Sequence, residues 1–260
     1  MNILGEIIAG KKKETELSAE RIPVELLRKK EYFTRSTLSL AGYLLDSNKT
    51  GIIAEFKRKS PSKGILNATA SVAEVTGGYN RSGASALSVL TDTEYFGGSV
   101  SDLSVARACN DLPVLRKDFV ISEYQVFESK AIGADAVLLI AAVLESNRLR
   151  DLAQLAQSLG LEVLMEVHNV EELDKVNGYV DVIGVNNRNL DTLVVDINTS
   201  LQLADKIPDD FVKISESGIT SPEAITLLKD AGYQGFLIGE RFMASPDPVK
   251  AFEGFVNSIK

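Results

Sequence analysis

The sequence predicts a (β/α)8 barrel of the TIM type with an N-terminal helical extension. Eight short apolar runs recur from residue 51 onward, at intervals of roughly 20 to 35 residues, the size of a βα unit. Stretches between them show helical periodicity with capping residues at their ends. The runs themselves are nearly continuous in apolar side chains, as parallel strands covered on both faces must be. One barrel of this kind takes about 250 residues, and the chain has 260. Residues 1–260 are therefore expected to form a single barrel domain, with residues 1–48 as the helical extension.

The first 48 residues contain no strand-like run. Ile3, Leu4, Ile7 and Ile8 lie at helical spacing and predict a first helix. Its Lys11-Lys12-Lys13 cluster is expected on a solvated face. A second helix is expected over 36–45. Strands are then expected over 51–56, 84–90, 113–117, 134–140, 161–168, 180–186, 211–216 and 234–239. Cys109 is expected to be buried in a helix ahead of the third strand. Over 146–160, Leu149, Leu152, Ala153, Leu155 and Ala156 form one apolar stripe, and Gly160 suits a left-handed C-cap. Ser221-Pro222-Glu223 opens another helix with Ser as N-cap and Pro in the first turn, and Gly232 closes it. No G-x-G-x-x-G follows the first strand, which disfavours an open dinucleotide-binding sheet.

Function in such a barrel gathers where strands run out into the βα loops. Residues two apart on a strand point the same way. The series Ile53-Glu55-Lys57, Leu115-Lys117, Leu164-Glu166-His168, Gly184-Asn186-Arg188 and Val212-Ile214-Glu216 each begin apolar or small and end polar. Five strands would thus aim charged or amide groups into one bowl. Charges gathered in a desolvated bowl interact at several kcal/mol, so such a group implies chemistry or a bound ligand. Ser215-Glu216-Ser217-Gly218-Ile219 follows the seventh strand and Leu237-Ile238-Gly239-Glu240 ends the eighth. In many barrels phosphate sits between these two loops, where glycines let backbone N–H groups approach. Lys57, Lys63 and Arg188 are expected to make the bowl cationic. A cationic bowl in a chain of net charge −8 predicts an anionic small-molecule ligand.

The composition removes other classes. The negative charge argues against nucleic acid. No apolar run approaches the roughly 20 residues needed to cross a bilayer, and the opening segment has its lysines after its apolar stretch, unlike a secretory signal. A cytoplasmic protein is expected. One cysteine and one histidine leave no room for a disulfide, a cysteine zinc cluster or a two-histidine metal site. His168 is expected to pack or hydrogen-bond at its strand end. Oligomeric state stays open, with a monomer as the default.

The motifs resemble those of the indole-3-glycerol-phosphate synthase family. The resemblance rests on Glu55-Phe-Lys57-Arg-Lys-Ser60-Pro61-Ser62-Lys63-Gly64, on Ser88-Val-Leu-Thr91-Asp92 followed by Phe96-Gly97-Gly98-Ser99, and on Leu115-Arg-Lys117-Asp118-Phe119. It continues through Met165-Glu166-Val167-His168, Val185-Asn186-Asn187-Arg188-Asn189-Leu190 and Ser215-Glu216-Ser217-Gly218-Ile219, in order over almost the whole chain. It implies an extension that caps the barrel and contributes to the substrate site. It also implies ring closure of 1-(2-carboxyphenylamino)-1-deoxyribulose 5-phosphate with loss of carbon dioxide and water, in tryptophan biosynthesis. No step of that reaction requires a cofactor or a metal.

On this resemblance Lys117 is the candidate general acid, with a pKa expected to be lowered by burial and like charge. Lys57 binds the substrate carboxylate, orients Lys117 or serves as acid in dehydration. Glu166 is the candidate base and Glu55 its competitor. Glu216 and Asn186 position lysines or substrate. Ser60 and Arg188 are substrate contacts, and Phe119 and Leu190 an apolar wall. Phosphate falls to Ser217, Gly218 and Gly239, with Glu240 contributing its backbone N–H while its side chain turns away. The rival readings are a cysteine–aspartate isomerase, for which Cys109 lies in the wrong place, a Schiff-base aldolase using Lys117 as nucleophile, and a barrel that binds a ligand without turnover.

Overall fold

The computed structural model describes residues 3–190 and 192–259. Eight strands close a parallel barrel: β1 (Ile52–Phe56), β2 (Ala86–Leu90), β3 (Val114–Lys117), β4 (Ala136–Ile140), β5 (Glu162–Val167), β6 (Val182–Asn186), β7 (Val212–Glu216) and β8 (Gly235–Ile238). Closure is made at β1, where Ile53 pairs with Ala86 of β2 on one side and with Leu237 of β8 on the other.

The continuous apolar runs are explained by two packing layers. Ile53, Leu115, Leu164, Val182, Ile214 and Leu237 point inward and fill the barrel. Their strand neighbours, such as Ala54, Val114, Met165, Ile183 and Phe236, point outward against the helices. Both sets need to be apolar, so the strands carry no alternation of polarity until they reach their C-terminal ends.

Most expected strand boundaries lie within two residues of the observed ones, with α4 (Val72–Arg81) between β1 and β2 and α8 (Asn198–Leu203) between β6 and β7. The helix α7 (Ser146–Ser158) buries Leu149, Leu152, Ala153 and Ala156, leaves Leu155 half-buried, and is followed by Gly160 at φ 77°. The helix α9 (Pro222–Asp230) has the Ser221 side chain accepting from the Ala224 N–H. Between β5 and β6 the connection is a short 3-10 turn, Glu171–Lys175, and not an α-helix.

Four helical pieces precede β1: α1 (Ile3–Arg21), α2 (Val24–Leu27), a 3-10 turn (Glu31–Thr34) and α3 (Leu40–Leu45). Three expectations need correction. The helix expected over 36–45 begins only at Leu40. The Leu38 N–H is taken by Asp135 at 2.8 Å and the Ala41 N–H by Glu162 at 2.8 Å, which draws the preceding residues out along the barrel. Ser39 then caps the helix through the Gly42 N–H. Lys11 is not on a solvated face: its side chain is 2% exposed, with Nζ at 2.9 Å from Asp92, 3.0 Å from Asp118 and 2.9 Å from Glu14. Cys109 does end a helix, α5 (Val100–Cys109), but it is exposed.

The extension thus grips both ends of the barrel. At the bottom, α3 sends Leu40 and Leu44 into the inner core. At the top, α1 is fixed through Lys11 to the residues that follow β2 and β3. Between them, Leu27 of α2 packs with Tyr124 and Ala131 of α6 (Glu123–Ile132).

The bottom joint is polar and buried. Asp135 is fully buried and receives Arg35 at 2.6 Å, Arg107 at 2.8 Å, and the Leu38 and Val114 N–H groups at 2.8 Å each. Removing one member of such a cluster leaves uncompensated buried charge. Asp135→Ala is expected to lower the unfolding free energy by about 3–5 kcal/mol, read from urea titration by circular dichroism. A loss below about 1 kcal/mol would show that the joint does not hold the extension in place.

Candidate active site

All the charged series drawn from strand parity point into the top of the barrel. Lys117 ends β3, and its Nζ lies 2.8 Å from Glu166 on β5 and 3.1 Å from Glu216 on β7. Lys57, just past β1, has its Nζ 2.8 Å from Glu55. Ser88 of β2 donates to the other oxygen of Glu55 at 3.3 Å. The second oxygen of Glu166 faces His168 Nε2 at 3.3 Å, and His168 Nδ1 faces Glu172 at 3.2 Å. Glu55, Lys57, Lys117, Glu166 and Glu216 line one cavity of about 1150 Å³ together with Ser60, Phe119, Asn186, Arg188, Leu190, Ser217, Gly218, Gly239 and Glu240, while His168 borders a smaller neighbouring one. Every residue proposed from the sequence for the site therefore borders the same space.

Two glycines make the crowding possible. A Cβ on Gly184 would stand 2.6 Å from a Glu216 carboxylate oxygen, and one on Gly239 would stand 2.6 Å from a Glu55 oxygen. Neither separation is sterically allowed, so these glycines let the two glutamates sit inside the ring of strands.

The electrostatics correct the picture of a cationic bowl. On the floor, Glu55, Glu166 and Glu216 face Lys57 and Lys117. Burial alone would depress the Lys117 ammonium, but Glu166, Glu216 and Glu55 outweigh it and raise its pKa above the ordinary lysine value. Burial works against the ionised form of Glu166 too; Lys117 and His168 overcome it and hold that carboxyl well below the usual range. Glu216 is pushed up to about 7, first by burial and then by the neighbouring Glu166 and Glu55. His168 is raised to about 10 because Glu166 and Glu172 outweigh its burial.

The upper wall is shaped by the loops after β6, β7 and β8. Ser217 and Gly218 take left-handed backbone conformations, φ 65° and 75°. Such a conformation is unfavourable for a serine and persists only where its surroundings enforce it. Asn187 supplies that support: its amide donates to the Ser217 carbonyl at 3.0 Å and to Ser215 Oγ at 2.9 Å, while its oxygen accepts from the Ser200 N–H at 3.0 Å. Gly239 is the N-cap of α10 (Glu240–Met243), so the first N–H groups of that turn lie at the cavity edge. The Glu240 carboxylate reaches Arg188 at 3.5 Å, and Arg188 also donates to the Leu193 carbonyl at 3.2 Å.

Sequence reasoning missed several contributors. Leu4 and Ile7 of α1 line the cavity, and Phe96 lines it too, 6.3 Å from the Phe119 ring. Leu4, Ile7 and Lys11 stand at i, i+3 and i+7, so one helical face carries both the roof and its anchor. That spacing was visible; the partners Asp92 and Asp118 were not, because they lie far along the chain.

A closed parallel barrel with facing lysines and glutamates at its strand ends, and glycine-bearing turns after β7 and β8, defines a phosphate-binding barrel enzyme. Comparison with known proteins narrows this. A sequence model of the family described as indole-3-glycerol phosphate synthase matches residues 4–255. The indole-3-glycerol phosphate synthase of Bacteroides thetaiotaomicron is 47% identical over 259 residues, covering 100% of this chain and 99% of that protein. That of Polaromonas naphthalenivorans is 43% identical, covering 95% of each. Among solved structures, thiamine phosphate pyrophosphorylase from Pyrococcus furiosus shares the fold, with a TM-score of 0.59 at 16% identity over 85% of this chain and 99% of that one. The chain belongs to the indole-3-glycerol phosphate synthase family, decarboxylating lyases of tryptophan biosynthesis.

The His168 shift makes stability depend on pH. A group whose pKa rises on folding, here from 6.5 to about 10, contributes stability that is fully present below about pH 6.5. That contribution is lost as pH climbs through about 10. The difference in urea midpoint between the native protein and His168→Gln is therefore expected to shrink from pH 6.5 to 10. A difference that stays constant over that window would rule out a charged His168.

Proposed function

We propose that this cavity closes the indole ring of 1-(2-carboxyphenylamino)-1-deoxyribulose 5-phosphate, with Lys117 as the general acid. The ring carbon bearing the carboxylate attacks the ketone carbon of the sugar chain. The ketone oxygen takes a proton from Lys117 as the bond forms, and carbon dioxide leaves as its electron pair returns to the ring. The new hydroxyl departs as water after taking a further proton. Glu166 removes the proton that allows the five-membered ring to become aromatic. One proton is consumed overall, since two are donated and one is taken back, and solvent supplies it.

The observation that carries this reading is the Lys117 ammonium held between Glu166 and Glu216 on the floor of the same cavity that ends at Ser217, Gly218 and Gly239. A raised lysine pKa suits the task. The alkoxide that develops on the ketone oxygen is a stronger base than an amine, so the transfer runs downhill, and the acid is fully protonated when substrate arrives. Glu166 lies 2.8 Å from Lys117, so the proton that it gathers at the end can return to the lysine.

In this reading Lys57 leaves Glu55 to meet the substrate carboxylate, and Glu55 holds it until then. Glu216 and Asn186 orient Lys117 and the sugar hydroxyls. Phe119 and Leu190, with Leu4, Ile7 and Phe96, enclose the benzene ring. Ser60 and Arg188 contact the substrate's polar groups. The phosphate lies against Ser217, Gly218 and Gly239 with the Glu240 backbone N–H, while the Glu240 carboxylate stays on Arg188. The family's biosynthetic role supports a cytoplasmic location and a phosphorylated small-molecule partner, without nucleic acid or membrane; we take the chain as active in monomeric form. No described helix is long and apolar enough to cross a membrane.

Lys117→Met is expected to reduce kcat at least about 10²-fold, followed by the fluorescence of the indole product. A near-native rate would remove Lys117 from the chemistry, and a borohydride-trapped adduct on Lys117 would convert it to a nucleophile. Gly218→Asp, which sets a carboxylate against the phosphate and whose Cβ would meet Val195 at 2.5 Å, is expected to raise KM. An unchanged KM would move the phosphate elsewhere.

A further inference from the structure

His168 takes no part in the chemistry described so far, yet its ring lies between two carboxylates. Nδ1 is hydrogen-bonded to Glu172 Oε2 at 3.2 Å, and Nε2 lies 3.3 Å from Glu166 Oε1, within ion-pair distance but not aligned as a hydrogen bond. Glu166 Oε2 is engaged separately by Lys117 at 2.8 Å. Charges therefore alternate from Glu172 through His168, Glu166 and Lys117 to Glu216. The far end is braced as well: Glu172 Oε2 also accepts the His168 N–H at 2.8 Å, and Glu172 Oε1 accepts from the Asn169 amide at 3.0 Å. The ring is 11% exposed and can shift little between its two partners.

We propose that His168 is a positioning residue for the ring closure: braced by Glu172, its imidazolium fixes the Oε1 side of Glu166 and supplies a cation beside that carboxylate that does not give up its proton to substrate. The inference rests on Glu166 acting as proposed above. When Lys117 gives its proton to the ketone oxygen, Glu166 loses the charge of its nearest cation. His168 then keeps Glu166 ionised and oriented, ready to take the final proton. The high pKa of the ring, about 10, agrees with a permanent charge in the neutral range.

The acid limb of the rate profile reports this arrangement. Glu166 and Glu216 share Lys117, so they titrate as a coupled pair. The groups facing that pair are Lys117, Glu55 and Lys57 from the β1 and β3 ends and His168 with Glu172 from beyond β5. Arg188 and Asp196 line the small cavity of about 360 Å³ on which His168 also borders. Removing the imidazolium deletes positive charge next to one carboxylate and raises the pair's pKa.

The test compares His168→Gln, Glu172→Gln and Glu166→Gln, with folding checked by circular dichroism and kcat, KM and the pH profile of kcat read from indole fluorescence. His168→Gln is expected to lower kcat about tenfold, with KM within about twofold, and to move the acid limb up by about half a unit or more. Glu172→Gln is expected to do the same to a smaller degree, and it stands in if His168→Gln does not fold. A native kcat and an unmoved acid limb in these variants would overturn the inference. A fall in kcat with no movement of the limb would also overturn it, since it would assign His168 to packing alone. If Glu166→Gln itself retains activity, the role of Glu166 fails first. If Glu166→Gln is inactive while His168→Gln is native, only the present inference fails.

Discussion

The structure depends on one lysine kept charged where water is scarce. Lys117 is 14% exposed at the mouth of the barrel, and its ammonium is tolerated there because Glu166 and Glu216 stand on either side of it. Ammonium and carboxylates are each costly to bury alone, and each removes much of the other's penalty. To bring them together, β3, β5 and β7 must present alternate residues inward at the same height. Gly184 must also stay bare so that Glu216 fits. The register, in which Glu166 pairs with Gly184 and Asn186 with Glu216, meets both demands.

Around that lysine most of the other charges are paired. Glu55 holds Lys57, Glu240 holds Arg188, and His168 bridges Glu166 and Glu172. In the proposed reaction, a substrate with a carboxylate and a phosphate enters by exchanging partners with these pairs, and the glutamates left behind keep Lys117 in place. Burial and attraction oppose each other at Lys117, Glu166, His168 and Glu216. Glu166 and Glu216 end on opposite sides of the ordinary carboxylate value because Glu166 has two cations, Lys117 and His168, and Glu216 has Lys117 with Glu166 and Glu55 nearby.

The barrel and the inward series were readable in the sequence because both are local patterns. A strand two residues per repeat announces which side chains share a direction, and the run from Leu164 through Glu166 to His168 needs no knowledge of any other strand. The roof was not readable in the same way. Lys11 looks like the start of a basic surface run until Asp92 and Asp118 are brought to it by the closing of the barrel. Cys109 shows the converse: it sits in the helix its surroundings suggest, but on the face turned away from the sheet. The direction of the Lys117 pKa shift is opposite to the expected one: strand parity puts Glu55, Glu166 and Glu216 in its bowl, but it does not show that Glu166 and Glu216 approach its ammonium closely enough to outweigh burial.

The anchoring of α1 through Lys11 has a consequence for how the polypeptide comes into being. Its partner Asp118 emerges from the ribosome about a hundred residues after it, and β1 closes against β8 only when the chain is nearly finished. The earliest helix synthesised must therefore wait, undocked, for several seconds at ordinary translation speeds. Its exposed apolar side, including Leu4 and Ile7 that later line the cavity, is in that interval open to chaperones and to neighbouring nascent chains.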